Sequence, residues 1–443
     1  MSNIITYKSI WKIAFPIIIS GVAQNVVNVT DTAFLGQVSN AALGAAGNAG
    51  IFYFVMIITG MGFTTGAQII IARRNGEKNY SQIGRVLDHT FYFIIPFAFL
   101  LFFLVQIFSA NFFDLITQSE NIKTLANEYI NTRMWGVLFA FLNFAFIAFY
   151  VGITKTRILS YVTILMMLIN VVLDYILIFG HFGFEPMGVK GAALASVISE
   201  LFAFLFIVVY TIKNIDLAQY NLFKFQAFDF GIFKRLFNVS SPIMLQNFMS
   251  LSSWFIFFMI IEKMGETELA ISHIVRSIYM VLMIPLFGFS NATNSLVSNL
   301  IGEGRSNEVF TLIKKIIFMS LGFTFVLSAI SYFIPEFLVS FYTNNPELIS
   351  QTTSTLHVIN FTMFFFCISF ILFNGVTGTG NTKTSMLIEG TNIAIYISSA
   401  YYIAITLQSS LPVVWASEFI YFGFLGLFSF LYLKFGNWTK KEI

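Results

Sequence analysis

Residues 90–113 read TFYFIIPFAFLLFFLVQIFSANFF, and this stretch without a charged side chain decides the fold class. A helix of this length crosses the hydrocarbon core of a bilayer, whereas a barrel strand would be about ten residues long and would alternate polar with apolar residues. The chain as a whole is 57% hydrophobic and only 10% charged, which is more apolar than a water-soluble domain. Comparable uncharged stretches occur at 134–154, 236–261, 277–302, 316–335 and 348–382. The sequence therefore predicts an all-α polytopic membrane protein.

Further predicted spans contain isolated acidic residues, and they complete the set of transmembrane helices. We expect twelve transmembrane helices, centred near residues 24, 58, 99, 143, 169, 201, 249, 286, 325, 365, 395 and 424. Small residues in the second span, at Gly60, Gly62 and Gly66, predict a close approach between helices.

The chain also contains an internal repeat. When it is shifted by 226 residues without a gap, identical residues coincide, among them Lys8 with Lys234, Pro16 with Pro242, Tyr53 with Tyr279 and Gly152 with Gly378. Six spans per copy is an even number, so both copies insert the same way and the repeat is parallel. The prediction is two six-helix bundles, at 1–212 and 236–443, joined by a polar cytoplasmic linker at 213–235.

Charge placement predicts the orientation. Most of the 24 Lys and Arg residues fall on one side of the twelve spans, the side that also holds the linker and both termini. By the positive-inside pattern this side is cytoplasmic, which predicts a multi-pass protein of the cell (inner) membrane. The net charge of +3 then reflects topology and does not indicate nucleic-acid binding.

Motifs of enzymes and metal sites are missing from the sequence. A single cysteine, Cys367, precludes an intramolecular disulfide and argues against a thiolate metal site. The segment Gly378–Lys383 has a faint likeness to a phosphate loop, but it follows an apolar helix and not a strand. We therefore expect neither enzymatic activity nor a cofactor.

Carboxylates within the spans are the leading functional candidates, because charge at bilayer depth is costly. Gln24, Asn28 and Asp31 recur at helical spacing on one face of the first span. Asn170 and Asp174 share a face of the fifth span. The pattern predicts a cation or proton site in the first half, since the repeat counterpart of Asp31 is Phe257.

Other charged residues in the spans are weaker candidates. Glu200 and Glu418 follow serines in the last span of each half and are interpreted as structural echoes of one another. Glu389 is expected to face the inner cavity or to snorkel. Arg133 and Arg276 are interpreted first as arginines that reach the membrane interface.

Several motifs together resemble the multidrug and toxic compound extrusion (MATE) family over nearly the whole chain. They are Pro16, Asp31–Gly36, Gly76-Glu77, Asn170–Asp174, Gly188–Ala193 and Gly378–Thr382. The resemblance implies two six-helix bundles that form a cleft, and export of lipophilic, often cationic compounds against inward H+ or Na+.

Residue by residue, the resemblance assigns cation coupling to Asp31, Asn170 and Asp174, with Ser196 as the nearest hydroxyl of the sixth helix. Gln24 and Asn28 are expected to line the substrate cleft, and Pro16 to provide a bend in the first helix. The NorM-like branch has a glutamate where this chain has Ser250, and its acid on the tenth helix has no counterpart between Thr352 and Thr377. The chain therefore resembles the DinF-like branch, with coupling confined to the first half.

The resulting functional prediction is a secondary multidrug antiporter, acting as a monomer in the lipid bilayer on organic cations or lipophilic drugs. H+ is the expected coupling ion, with Na+ at Asp31, Asn170 and Asp174 as the alternative. The rival function is a flippase for a lipid-linked saccharide. Such a protein would need several basic residues in its cleft to hold a pyrophosphate, and only Arg133 and Arg276 could serve.

Overall fold

A computed structural model describes residues 5–439, and within that range the chain is helical, without β-strands. Long apolar runs give helices because a backbone in lipid must satisfy its own hydrogen bonds. The twelve long helices are α1 (Tyr7–Val38), α2 (Asn40–Gly76), α3 (Tyr80–Ile116), α4 (Glu120–Gly152), α5 (Arg157–Phe179), α6 (Gly188–Asn214), α7 (Phe230–Glu262), α8 (Glu266–Gly302), α9 (Ser306–Phe333), α10 (Pro346–Gly378), α11 (Thr382–Tyr401) and α12 (Leu411–Phe435).

Eleven of these helices are long and apolar enough to cross a membrane, counted over the residues that the structure describes. The exception is α11, which is the predicted span centred near residue 395. It forms a helix that continues as a π-helical turn over Tyr402–Thr406. Its polar residues, including Lys383 and Glu389, reduce its apolar character. The helix exists as predicted, and its composition suits a polar interior more than a lipid-facing position.

The internal repeat is visible in the helix boundaries. Helix α2 (Asn40–Gly76) and helix α8 (Glu266–Gly302) begin and end at positions related by the same shift of 226 residues. Helices α4 and α10 likewise begin at Glu120 and Pro346 and end at Gly152 and Gly378. The parallel duplication predicted from scattered identities therefore describes these helices without a gap.

By their internal contacts, the helices group into two compact units. One unit is Ile19–Met244, and the other is Met1–Ile18 together with Leu245–Ile443. This division passes through α1 and α7, at repeat-equivalent positions, and not through the segment between α6 and α7. Pro16 lies inside α1, close to the point of division. The bend predicted at Pro16 and the predicted lobe boundaries stay predictions.

Within the Ile19–Met244 unit, glycines on α2 allow the start of α7 to pack closely against α2. A Cβ atom on Gly62 would lie 2.8 Å from Met244 Cα, and one on Gly66 would lie 2.7 Å from Ser240 Cα. The approach lets the Ser240 hydroxyl donate a hydrogen bond of 2.9 Å to the Phe63 carbonyl. In the other unit, Gly288 takes the equivalent place against Ile18. Close helix packing through small residues is thus repeated in both units.

Candidate cation-coupling site

Asp31 of α1 and the pair Asn170 and Asp174 of α5 meet inside the Ile19–Met244 unit. Asn170 and Asp174 are fully buried, and Asp31 is half-buried. When the Asn170 amide is oriented with its nitrogen toward the acids, that nitrogen lies 3.2 Å from Asp31 Oδ1 and 3.2 Å from Asp174 Oδ2. One amide group therefore donates to both carboxyl groups, which brings together the two spans that the sequence singled out.

The two carboxyl groups also lie within hydrogen-bonding reach of each other. Asp174 Oδ1 is buried and has no hydrogen-bond partner. Two negative charges in contact repel strongly, so such a pair requires a shared proton or a bound cation. The geometry is that of a site which exchanges one positive charge.

The other residues predicted for this site are not joined to it in the same way. Gln24 and Asn28 are exposed on α1, consistent with a polar face but without a hydrogen bond to the acids. Ser196 is buried, and its carbonyl accepts a bond of 2.9 Å from the Ser199 hydroxyl. Across residues 5–439, no hydrogen bond links the Ser196 side chain to Asp31, Asn170 or Asp174. Cleft and coupling roles for Gln24, Asn28 and Ser196 remain predictions.

An ion pair that the sequence analysis missed lies in the same unit. The Arg133 guanidinium donates twice to the Glu200 carboxylate, through Nη1 to Oε2 at 2.9 Å and through Nη2 to Oε1. Arg133 Cζ also lies 4.2 Å from the centre of the Tyr53 ring. Both charged side chains are largely buried. A Cβ atom on Gly136 would lie 2.6 Å from both partners, so glycine leaves the space that the pair occupies.

This pair corrects one interpretation made from sequence. Arg133 does not extend to an interface as a free cation, because Glu200 neutralises it across 67 residues of sequence. Glu418 accepts hydrogen bonds from Tyr279 at 3.0 Å and Tyr396 at 3.4 Å, and Tyr279 is the repeat counterpart of Tyr53, so the interpretation of Glu200 and Glu418 as structural echoes stays a prediction. No spacing rule could reveal a contact between residues so distant in sequence. The only available signal was that two opposite charges lie in spans of the same half.

The second unit has a different interior at the equivalent positions. Phe257 and Tyr396, which replace Asp31 and Asn170 in the repeat, stack with ring centres 5.6 Å apart. Ala400 stands where the first half has Asp174 and is fully buried. An aromatic contact therefore occupies the place of the acidic pair.

Glu389 of α11 does not snorkel, and the alternative that it faces an inner cavity stays a prediction. Instead of snorkelling, it is buried and accepts hydrogen bonds from the Ser250 hydroxyl at 2.6 Å and the Tyr421 hydroxyl at 2.7 Å. Its Oε2 atom is buried without a partner. Within residues 5–439, no group of three or more His, Cys, Asp or Glu residues could hold a metal ion. The second unit thus retains buried acids, held mainly by hydroxyl groups.

The duplicated all-helical architecture, with buried carboxylates inside apolar spans, defines a membrane transporter with an internal repeat. The sequence signature of the MatE family matches residues 16–176 and again residues 242–402. The two matches are themselves separated by the shift of the repeat. The chain belongs to the MATE family of transporters.

Relatives and solved structures agree with this assignment. The chain is 27% identical to a probable multidrug resistance protein NorM of Thermotoga maritima, over 98% of this chain and 94% of the relative. Its fold matches a crystal structure of MATE in complex with MaL6 with a TM-score of 0.89 at 19% identity, covering 96% of this chain and 95% of the other.

The fold also matches a MOP superfamily transporter from Pyrococcus furiosus, for which a reversed polarity of the binding pocket suggested a different function. That match has a TM-score of 0.89 at 19% identity and covers 98% of this chain and 97% of the other. At such identities the likeness concerns the fold alone. Assignment to the DinF-like branch stays a prediction.

Proposed function

We propose that this protein is a multidrug exporter that exchanges lipophilic organic cations for inward-moving H+. The observation that carries the proposal is the contact between Asp31 and Asp174 with Asn170 donating to both. The relative from Thermotoga maritima, named as a probable multidrug resistance protein, supports the substrate class. The protein then acts as a transporter and not as an enzyme, and needs no cofactor.

The site suits H+ better than Na+ as the coupling ion. Na+ is a hard cation that takes oxygen ligands, as Ca2+ and Mg2+ do. In the orientation in which the Asn170 amide nitrogen donates to both carboxyl groups, its oxygen is turned away from the point between them. A shared proton needs no further ligand, whereas Na+ would be left with the two carboxylates.

The proposed cycle links two ligands to one site. With the site open to the outside, the acid pair takes up a proton and its hold on a cationic substrate weakens. With the site open to the inside, the proton leaves and the restored negative charge attracts substrate. One charge moving through 100 mV supplies about 2.3 kcal/mol, enough for roughly a fifty-fold gradient.

Transport in proteoliposomes tests this proposal. In sodium-free liposomes that contain the purified protein, a proton gradient alone should move ethidium opposite to the proton. If ethidium moves only after Na+ is added and then follows the Na+ gradient at fixed pH, the site is a sodium site. If ethidium moves under neither gradient, the proposal of cation export is wrong.

We propose further that both termini and the segment between α6 and α7 are cytoplasmic. Lys224, in the segment after α6, and Glu266, the first residue of α8, are exposed, and the native thiol of Cys367 is buried. In a Cys367→Ser background, a cysteine replacing Lys224 should react with impermeant reagents only from the cytoplasm. A cysteine replacing Glu266 should react only from outside, and the reverse pattern would overturn the orientation.

The pairing of Arg133 with Glu200 argues against the flippase alternative. A pyrophosphate site needs several free cations, and Arg133 is neutralised by Glu200. Of the two arginines considered for that role, only Arg276 lacks a carboxylate partner among residues 5–439. We therefore retain cation export as the proposed function.

A further inference from the structure

Arg133 of α4 and Arg276 of α8 differ in how their charge is compensated. Arg133 has the Glu200 carboxylate in a two-point contact. Arg276 lies about 15 Å along the axis of α8 from the first residue of that helix. Over residues 5–439, no carboxylate comes within ion-pair distance of Arg276. Arg276 is thus a cation inside a span without a protein counter-ion.

Aromatic side chains hold Arg276 in place. Its Cζ atom lies 5.2 Å from the centre of the Phe258 ring. The His273 ring stacks on the same phenyl group, with centres 5.0 Å apart, and Trp254 stacks on it at 6.1 Å. Arg276 Nε is buried and has no hydrogen-bond partner. The guanidinium is therefore held against the aromatic surface with one N–H group that no protein atom accepts.

The repeat shows that packing does not require these two basic residues. The counterparts of His273 and Arg276 in the first half are Gly47 and Gly50. A Cβ atom on either glycine would meet no other atom within 4 Å. These positions therefore face open space in the first unit. In the second unit His273 is exposed and Arg276 half-buried, so the corresponding face of α8 is also accessible.

A guanidinium without a protein counter-ion offers up to five N–H donors in a planar array that matches carboxylate, sulfonate or phosphate oxygens. Phe258 provides an apolar platform beside it. The arrangement combines one fixed positive charge with an aromatic surface. Its chemical complement is an anion attached to a lipophilic ring or chain.

We propose that Arg276, with His273 and Phe258, binds an anionic group on a lipophilic ligand. The inference goes beyond the proposed export of cations, because it adds a site for negative charge in the second unit. A carried compound with an acidic group and a lipid with an anionic headgroup share this chemistry. The experiment therefore includes an arm for each source.

Equilibrium binding of fluorescein, an aromatic carboxylate, tests the site without any ion gradient. The full-length protein is placed in phosphatidylcholine nanodiscs and titrated by fluorescence anisotropy. Arg276→Gln should weaken binding about tenfold, the size of effect expected for losing a charged hydrogen bond. Arg276→Lys should lose less, since it keeps the charge. Lys263→Gln, which removes an exposed cation of the same unit, should bind as the wild type does.

Equal fluorescein affinity in the wild type and Arg276→Gln would overturn the proposal. Phe258→Leu gives an independent variant, in which the charge stays and the aromatic platform is lost, and it should also weaken binding. Both variants are compared as monodisperse protein with wild-type thermal stability, so that misfolding does not pass for lost affinity.

A second set of nanodiscs containing phosphatidylglycerol identifies the source of the anion. If phosphatidylglycerol competes with fluorescein in the wild type but not in Arg276→Gln, the site binds a lipid headgroup. Fluorescein binding that depends on Arg276 but resists this lipid assigns it to a carried compound. If neither ligand depends on Arg276, no anion site exists there. Asp31→Asn should bind fluorescein normally, so failure of the export proposal is distinguishable from failure of this one.

Discussion

The two halves of the chain have the same helix plan but place different side chains at equivalent positions: Asp31, Asn170 and Asp174 in the first, and Phe257, Tyr396 and Ala400 in the second. In the first half, an amide donates to two carboxyl groups. In the second, two rings stack at 5.6 Å. Duplication preserved the backbone and its glycine contacts while the polar interior diverged. A site for exchanging charge is thus a property of one half and not of the repeated fold.

The same divergence applies to the remaining buried acids. Glu200 in the first half is balanced by a full positive charge. Glu389 and Glu418 in the second half accept hydrogen bonds from hydroxyl groups. Glu200 is therefore compensated by ion pairing, whereas Glu389 and Glu418 are compensated by hydrogen bonding.

The largest expected effect comes from removing either acid of the candidate coupling site. Asp31→Asn and Asp174→Asn should each reduce gradient-driven ethidium movement to the level of empty liposomes, because the remaining carboxyl group no longer shares an exchangeable charge. Folding and membrane insertion should persist. Transport assays at matched expression measure the loss.

The matched controls are Glu389→Gln and Glu418→Gln, which remove buried acids of the second half. They should retain more transport than either aspartate variant. Near-wild-type efflux from Asp31→Asn would contradict the prediction that transport depends more on the acids of the first half than on those of the second.

The next effect concerns stability. Glu200→Gln leaves the Arg133 charge buried without its counter-ion, and the free energy of unfolding should fall by about 3–5 kcal/mol. Glu418→Gln should cost only about 1–2 kcal/mol, since hydroxyl hydrogen bonds are weaker than a broken buried ion pair. Thermal unfolding of the purified protein in detergent gives the comparison.

Removing both partners provides the control for this prediction. The double variant Arg133→Met with Glu200→Met should be more stable than Glu200→Gln alone, because no uncompensated charge remains. If the double variant is the less stable, packing and not charge accounts for the pair.

Glycine contacts on α2 and α8 predict a smaller difference between the halves. Gly62→Ala places a methyl group 2.8 Å from Met244 Cα, a backbone atom that cannot rotate away. In Gly288→Ala the nearest atom is Ile18 Cγ1, which can change rotamer. Gly62→Ala should therefore lose about 1–3 kcal/mol of stability. Gly288→Ala should lose less, and the opposite order of melting temperatures would contradict this account.

The smallest expected effect lies at the start of α7. Asp229 Oδ1 accepts hydrogen bonds from the backbone N–H groups of Ile232 at 3.2 Å and Gly231 at 2.8 Å, which hold the pKa of this carboxyl below its ordinary value of 3.8. A lowered pKa stabilises the folded state above pH 3.8, and this stabilisation disappears as the pH falls through the folded pKa.

Melting temperatures measured from neutral pH down to about pH 3 test this dependence, since that range spans the ordinary carboxyl pKa. Asp229→Ala should melt slightly below the wild type at neutral pH, and the gap should close in acid. Asp229→Asn keeps an acceptor for the first turn without a titrating group. A gap between wild type and Asp229→Ala that does not change with pH would show that Asp229 contributes no charge-dependent stability.

Much of this molecule could be predicted before its structure was known. Lengths of apolar runs predict the helices, because lipid offers no hydrogen bonds to an open backbone. The ungapped shift between Lys8 and Lys234 predicts the duplication, and the helix boundaries agree. Asp31, Asn170 and Asp174 stand out because a charge in a span is costly and because their spacing fits one helix face.

Contacts between side chains on different helices could not be predicted from composition and spacing. The contact of Arg133 with Glu200 spans 67 residues of sequence, and that of Ser250 with Glu389 spans 139. Periodicity states which side of its own helix a residue occupies but not which helix lies opposite. For this reason Glu200 and Glu389 seemed to be isolated acids in the sequence.

By itself, the sequence determined the membrane class, the duplicated helix plan and the identity of the acids worth testing. Those properties follow from local composition and spacing, which each segment carries with it. Only the tertiary structure decided that Asn170 serves both carboxyl groups, that Glu200 neutralises Arg133 and that Arg276 has no carboxylate beside it. Whether a buried charge is compensated depends on atoms a few ångströms away, and packing brings those atoms from distant parts of the chain.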